Sequence, residues 1–376
     1  MLLNVNKHQK HTSLIKRITG NFAPNEIAVL GTKCNVIAQI VQEAIQNLDK
    51  NYKIAYLDAS HNADKKIPKL DTFTFNKNGF AEEVLIKTDN PHQLKITFNP
   101  YDLVFINGNH YKGEQQILVL DSDKEASVLK RLEQLNNVQF IIKTDPNVKL
   151  FPFLTENYPE LQRIKTYDIT DKKAIANHIE NLIKQQIPRV NGLVLIGGKS
   201  TRMGMDKSKI NYHGKPQATF LYELLKEKLG EENTYYSVRD KNQIQDLSVI
   251  TDKFLDLGPF GGICSAFQSN PNVAWLVVAT DLPNITNKEI NRLLQYRNPS
   301  KIATAFKGKS KQFPEPLITI WEPKAYPALL QFLTLGYSCP RKVLINNDVE
   351  IVEIDDELIQ NINTKQELEN FQKSNW

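Results

Sequence analysis

The 376-residue chain carries 47 Lys and Arg against 42 Asp and Glu, a formal net charge of +5, with 41% hydrophobic and 24% charged residues. This is the balance of an ordinary folded protein, and so small a positive excess suits anionic small molecules rather than nucleic acid. No stretch approaches the roughly 20 apolar residues that span a bilayer, the first residues hold no apolar signal core, and Cys34, Cys264 and Cys339 lack metal-ligand spacing, so membrane insertion, secretion, a zinc site and a disulfide framework are not expected and the cytoplasm is the expected compartment.

A chain of this length exceeds what one core usually serves, and its elements fall into two series. In the first, EIAVLG (26–31) and YKIAYLD (52–58) read as buried strands around a helix, NVIAQIVQEAIQNL (35–48), which makes a βαβ unit. YDLVFING (101–108), QQILVLD (115–121) and VQFIIKTD (138–145) follow as strands, with helices expected over KEASVLKRLEQL (124–135) and KKAIANHIENLIKQQ (172–186). In IPRVNG (187–192) helical periodicity ends at a proline and a glycine, so domains are expected over 1–187 and 188–376. The second series has strands at GLVLIGG (192–198), NTYYSV (233–238), VAWLVVATD (273–281), KIATAF (301–306), EPLITIWE (315–322) and VEIVEI (349–354), and a helix at ATFLYELLKEKL (218–229). Such alternation predicts two doubly wound α/β domains, with ligands at the carboxyl ends of mainly parallel strands.

Three stretches of the second series carry chemistry. In LIGGKSTRMGMDK (195–207), Gly197 and Gly198 end a strand so that bare amides can face a polyphosphate, while Lys199, Arg202 and Lys207 supply positive charge; an ordinary tight turn is the competing reading of the glycine pair alone. VITDKFLDLGPFGG (249–262) joins Asp252 to a glycine-rich turn, for which a structural loop is an equal reading. In WLVVATDLP (275–283), Asp281 ends an apolar strand that Pro283 stops, a position suited to Mg²⁺ or to a simple turn.

Taken whole, LIGGKSTRMGMDKSKI resembles the signature L-A-G-G-x-S-x-R-M-G-x-D-K of the molybdenum cofactor guanylyltransferases. The resemblance implies a Rossmann-like nucleotidyltransferase domain that transfers GMP from GTP to molybdopterin and releases pyrophosphate with Mg²⁺. Ile196 replaces the family's alanine, and the paired glycines favour GTP over CTP. The resemblance further implies catalytic roles for Arg202, Lys207 and Asp281, and GTP binding by Leu195, Gly197, Gly198, Lys207, Ser237, Asp252, Gly258, Gly261 and Asp281. Asp281 is the implied metal ligand, in a family C-D-x-P motif where this chain has Thr280, and Gly261 stands where the family has alanine. FPEPLITIW (313–321) and NINTKQELENF (361–371) are similar to the family's P-L-x-x-L-Y and N-x-N-T-P-E-E-L segments, which implies molybdopterin binding by Asn361 and Asn363; a helix cap at Asn363 or Thr364 competes. Arg341 is added on charge alone as a candidate for the pterin's phosphate.

The first series resembles the P-loop accessory protein of molybdopterin guanine dinucleotide synthesis, through YDLVFINGNHYKGEQQILVLD (101–121) and KIAYLDASHNADK (53–65). It departs at VLGTKCNVI (29–37), where Gly31, Thr32 and Lys33 are what remains of a P-loop, and at Asn107, which stands in place of a glutamate. A degenerate P-loop-like domain without NTP hydrolysis is expected, one that binds or delivers pterin or contacts a partner; His61 and His110 receive no role. The expected partners are GTP, molybdopterin, and molybdoenzyme apoproteins or other cofactor-biosynthesis proteins, with no nucleic acid and no membrane. A nucleotidyltransferase using CTP or a sugar phosphate acceptor, and a non-catalytic cofactor carrier, are the alternatives.

Overall fold

A computed structural model describes residues 13–50, 52–59, 72–75, 81–85, 90–196, 206–240 and 248–374. They divide into two compact units, Ile18–Ile187, and the residues from Pro188 onward together with residues 13–17.

The first unit runs β1 (Glu26–Leu30), α1 (Cys34–Gln46), β2 (Ile54–Leu57), β3 (Thr72–Phe75), β4 (Ala81–Leu85), α2 (Pro91–Phe98), β5 (Leu103–Asn107), β6 (Gln115–Leu120), α3 (Glu125–Leu129), β7 (Val138–Lys143), α4 (Pro152–Asn157), β8 (Thr166–Asp168) and α5 (Lys172–Gln185). Its main sheet has the order β2-β5-β1-β6-β7-β8, every pair parallel, and β3 and β4 form a separate antiparallel pair. The central strands β1, β5 and β6 are buried along nearly their whole length, with polar residues confined to their ends, because both faces are covered. Ile37, Ile40, Val41 and Ala44 of α1 and Ile175, Ile179 and Ile183 of α5, at helical spacing, pack on one face, and Leu154 of α4 joins Leu118 and Leu120 on the other.

The helix expected over residues 124–135 is broken. Only Glu125–Leu129 is α-helical, between two 3₁₀ turns. The Arg131 side chain donates to the carbonyl of Ser127, while its own amide bonds Val128 O at 2.9 Å, so the i→i−4 ladder stops there. β1 passes into α1 through residues 31–33 alone. Gly31 has φ +104°, and a Cβ there would stand 2.2 Å from Val119 O, so the position accepts only glycine.

The second unit runs β9 (Val190–Leu195), α6 (Gln217–Leu229), β10 (Thr234–Val238), β11 (Val249–Thr251), α7 (Pro259–Ser269), β12 (Ala274–Ala279), α8 (Asn287–Gln295), β13 (Ala303–Gly308), β14 (Ile318–Trp321), α9 (Ala325–Thr334), α10 (Pro340–Ile345), β15 (Val349–Ile354) and α11 (Lys365–Ser374). The sheet order is β11-β10-β9-β12-β14-β13-β15; β9 to β12 are mutually parallel, β14 opposes both neighbours, and β13 pairs β15 in parallel. The α/β class with a mainly parallel sheet is therefore as expected. In β12, Trp275 and Val277 face the core beneath α7 and α9, and Leu276 and Val278 face the core beneath α6 and α8. This packing fixes the carboxyl end of β12, where Asp281 emerges. Among the described residues, no helix is long and apolar enough to cross a membrane.

Candidate active site

The carboxyl ends of β9, β10 and β11 bring together one group of the expected residues. Leu195 closes β9, and Ile196 N donates to Ser237 O at 3.3 Å. The Ser237 hydroxyl donates to Asp252 Oδ1 at 2.9 Å, and Asp252 N donates to Val238 O at 2.8 Å, so the carboxylate is held at the end of β11. Burial pushes the Asp252 carboxyl above its ordinary value, against the Ser237 bond and the Arg239 charge, which pull it down. Gly258, at φ +57°, turns the chain into Pro259 at the first position of α7.

The next two glycines serve packing. A Cβ on Gly261 would stand 2.1 Å from Phe254 O, and one on Gly262 would stand 2.6 Å from Ser237 Oγ and 2.9 Å from Leu195 Cδ2. Helix α7 thus approaches β9 and β10 closely enough that its first turn borders the same corner as Ser237 and Asp252.

A second group gathers at Asp281. Its loop is pinned from three sides: Ile362 N donates to Asp281 O at 2.9 Å, Gln217 Nε2 donates to Leu282 O at 3.2 Å, and His213 Nε2 lies 2.8 Å from Pro283 O. The side chain is half-buried, and Oδ1 is shielded from solvent with no hydrogen-bond partner among the described residues. Burial pushes its carboxyl up, and the nearby Lys207 ammonium pulls it down. Lys207 Nζ donates to Asn363 Oδ1 at 2.7 Å, and Asn361 stands on the other side of Ile362 with its own Oδ1 buried and unpartnered among the described residues. The helix cap is Thr364: its hydroxyl accepts from Glu367 N at 3.2 Å, while Glu367 Oε2 accepts from the amides of Asn363 and Thr364. The Asn363 side chain is thereby left for Lys207.

Arg341 and Asn361 share a cleft of about 530 Å³ with Glu315, Phe313 and Lys311. Arg341 is already engaged there, with Nη2 on Glu315 Oε2 at 3.1 Å and Nε on Pro314 O at 3.3 Å. Burial pushes the Glu315 carboxyl up, Arg341 pulls it down, and the charge of Asp281 adds to the upward push. Glu315 escaped the sequence analysis, as did His213 and Gln217, which hold the Asp281 loop. The only trace of Glu315 in the sequence is an acid set between two prolines just before an apolar strand.

Gly197, Gly198 and Arg202 lie outside the described residues, as does His61. Among the described residues, no group of three or more His, Cys, Asp and Glu side chains is arranged to hold a metal. Asp281, with its unpartnered Oδ1, fits instead a hard divalent ion that takes one protein carboxylate and completes its shell with phosphate oxygens and water.

Residues 192–350 match the family described as MobA-like NTP transferase domain. A protein of Carboxydothermus hydrogenoformans named "Probable molybdenum cofactor guanylyltransferase" is 34% identical over 151 residues, covering 38% of this chain and 70% of that protein. A "Molybdenum cofactor biosynthesis bifunctional protein" of Synechocystis sp. is 34% identical over 181 residues, 47% of this chain and 52% of that protein, so the chain spans about half the length of that relative. A relative from Flavobacterium johnsoniae, also named "Probable molybdenum cofactor guanylyltransferase", is 26% identical over 183 residues, 46% of this chain and 92% of that protein.

Proposed function

The chain belongs to the MobA-like NTP transferase family, and from that premise we propose that it transfers GMP from GTP to the terminal phosphate of molybdopterin and releases pyrophosphate. The observation that carries this reading is the bond from Lys207, at the end of the glycine-rich stretch, to Asn363, in the closing N-x-N-T segment, beside the half-buried Asp281. One lysine thus joins the side expected to hold nucleotide phosphates to the side expected to hold the acceptor.

In this reading Leu195, Ser237, Asp252, Gly258 and Gly261 border the nucleoside, and Lys207 meets the triphosphate. Gly197, Gly198 and Arg202 are assigned on the sequence alone. Asn361 and Asn363 face the acceptor. Mg²⁺, held by Asp281, would neutralise the phosphate charges. The attacking phosphate is already anionic, so no side chain need remove a proton; this chain's residues align the two substrates and offset the charge that develops between them. Lys207 adds a fixed positive charge beside the leaving pyrophosphate.

The first unit is proposed to act without nucleotide hydrolysis. The β1–α1 connection is confined to residues 31–33, Val119 O blocks any side chain at Gly31, and the Thr32 hydroxyl is spent on Asp121 Oδ2 at 2.6 Å. Molybdoenzyme apoproteins and other cofactor-biosynthesis proteins are its proposed partners, and the reaction is proposed to run in the cytoplasm.

The test is pyrophosphate release by the purified chain with Mg²⁺ and either GTP or CTP, with and without molybdopterin. Release that needs both GTP and molybdopterin is expected; release with CTP, or with a sugar phosphate in place of molybdopterin, would overturn the substrate assignment.

A further inference from the structure

Glu315 is only 6% exposed, yet it lines the cleft that Asn361 and Arg341 also line. Its backbone is fixed on both sides: Glu315 N donates to Phe306 O at 2.8 Å, and Glu315 O accepts the Thr319 hydroxyl at 2.8 Å. Its carboxylate accepts one bond from Leu317 N at 3.2 Å and one from Arg341 at 3.1 Å. A carboxylate has about four acceptor sites, so capacity remains toward the cleft.

Nearby, Asn361 presents a buried Oδ1 that has no partner among the described residues. An unpaired buried acceptor is costly, and a ligand donor relieves it. Phe313, in the same cleft, is 43% exposed and offers a flat apolar face. The occupant these features fit is a planar ring with adjacent N–H donors on one edge, since two parallel donors suit a carboxylate best.

We infer that Glu315, assisted by Asn361, is a specificity-determining residue that accepts hydrogen bonds from the amino group and adjacent ring N–H of the acceptor's pterin, while Phe313 stacks on the ring. This rests on the proposed transfer reaction for the identity of the acceptor. Arg341 then acts chiefly by orienting Glu315, because two of its donors are committed to that wall of the cleft. Guanine has the same donor edge, so the nucleotide is the other possible source of this chemistry, and the test separates the two.

Binding of free pterin, of lumazine (which has a carbonyl in place of the amino group) and of GTP with Mg²⁺ would be measured by ligand-observed NMR on the full native chain and on Glu315→Gln. The native protein should prefer pterin over lumazine by roughly 10-fold or more, the scale of one charge-assisted hydrogen bond. Glu315→Gln should lose that preference, keep its GTP affinity, and show a KM for molybdopterin raised roughly 10- to 100-fold with a smaller change in kcat. Equal binding of pterin and lumazine by the native chain would overturn the inference without relying on any variant. A loss of GTP affinity in Glu315→Gln equal to its loss of pterin affinity would overturn it in favour of guanine. A pterin preference that depends on Glu315, in a chain that transfers no guanylyl group, would uphold ring recognition while removing the transferase reading; transfer without any such preference would do the reverse.

Discussion

Lys207 Nζ donates to Asn363 Oδ1 across 2.7 Å, although the two residues stand 156 positions apart in the chain. The bond ties the end of the glycine-rich stretch to the approach of α11, and Asp281 lies within the electrostatic reach of the same ammonium. If Lys207 serves the reaction, removing its charge should cost far more than removing its hydrogen-bond partner. Lys207→Ala is expected to lower kcat by about 100-fold or more, the scale for one preorganised charge-stabilising group. Asn363→Ala is expected to lose only about 10-fold, and the double variant should fall short of the product of the two, because the residues act as a pair. Steady-state kinetics on the three variants check this, and strictly multiplicative losses would show that the bond has no part in turnover.

Asp281→Asn keeps the shape of the side chain and removes a charge that burial disfavours. Turnover should fall by more than about 1,000-fold if the carboxylate holds the metal, while the melting temperature stays level or rises. Activity within tenfold of the parent would remove Asp281 from the site.

Gly261 stands where the resembling family carries alanine, and the geometry explains the departure: Phe254 O occupies the space a Cβ would take, at 2.1 Å. Gly261→Ala is therefore expected to destabilise the protein by about 1–3 kcal/mol, the usual cost of overpacking against backbone. Chemical denaturation measures it. A variant as stable as the parent would mean that the Phe254 loop shifts without cost.

Asp252 gives a pH-dependent signature. Its folded-state pKa is raised, mainly by burial. Between the unfolded value and the higher folded value the native state binds more protons than the unfolded state, so this group's contribution to stability falls as pH rises through that window. Asp252→Asn retains an oxygen acceptor for the Ser237 hydroxyl and removes the titration. It should flatten the fall in unfolding free energy across that window and leave the protein no less stable at neutral pH. Denaturation curves over a pH series test this; a variant with the parent's slope would assign the titration elsewhere.

The strands and the amphipathic helices were legible because their apolar spacing is local and strong: α1 buries Ile37, Ile40, Val41 and Ala44 in helical register, and β12 is buried along its whole length. The stretch over residues 124–135 misled because its end depends on Arg131 capturing the Ser127 carbonyl, a choice that hydrophobic periodicity does not record. The strands β8 and β11, of 3 residues each, carry too few residues to show a period. At the site, Asp281 was readable as an acid ending an apolar strand before a proline. That Thr364 rather than Asn363 caps α11 needed the bonds to and from Glu367, which only the folded chain displays. Glu315 was invisible for the same reason: its burial and its pairing with Arg341 arise from segments brought together by β14 and α10.

The most direct test of the central claim follows the label from GTP carrying radioactive phosphorus at the α position, incubated with the full chain, Mg²⁺ and molybdopterin. The account predicts that the label appears in a product containing molybdopterin joined to GMP, in step with pyrophosphate release, and that Asp281→Asn forms none of it. Label that stays in GTP, or passes to free GMP regardless of molybdopterin, would contradict it.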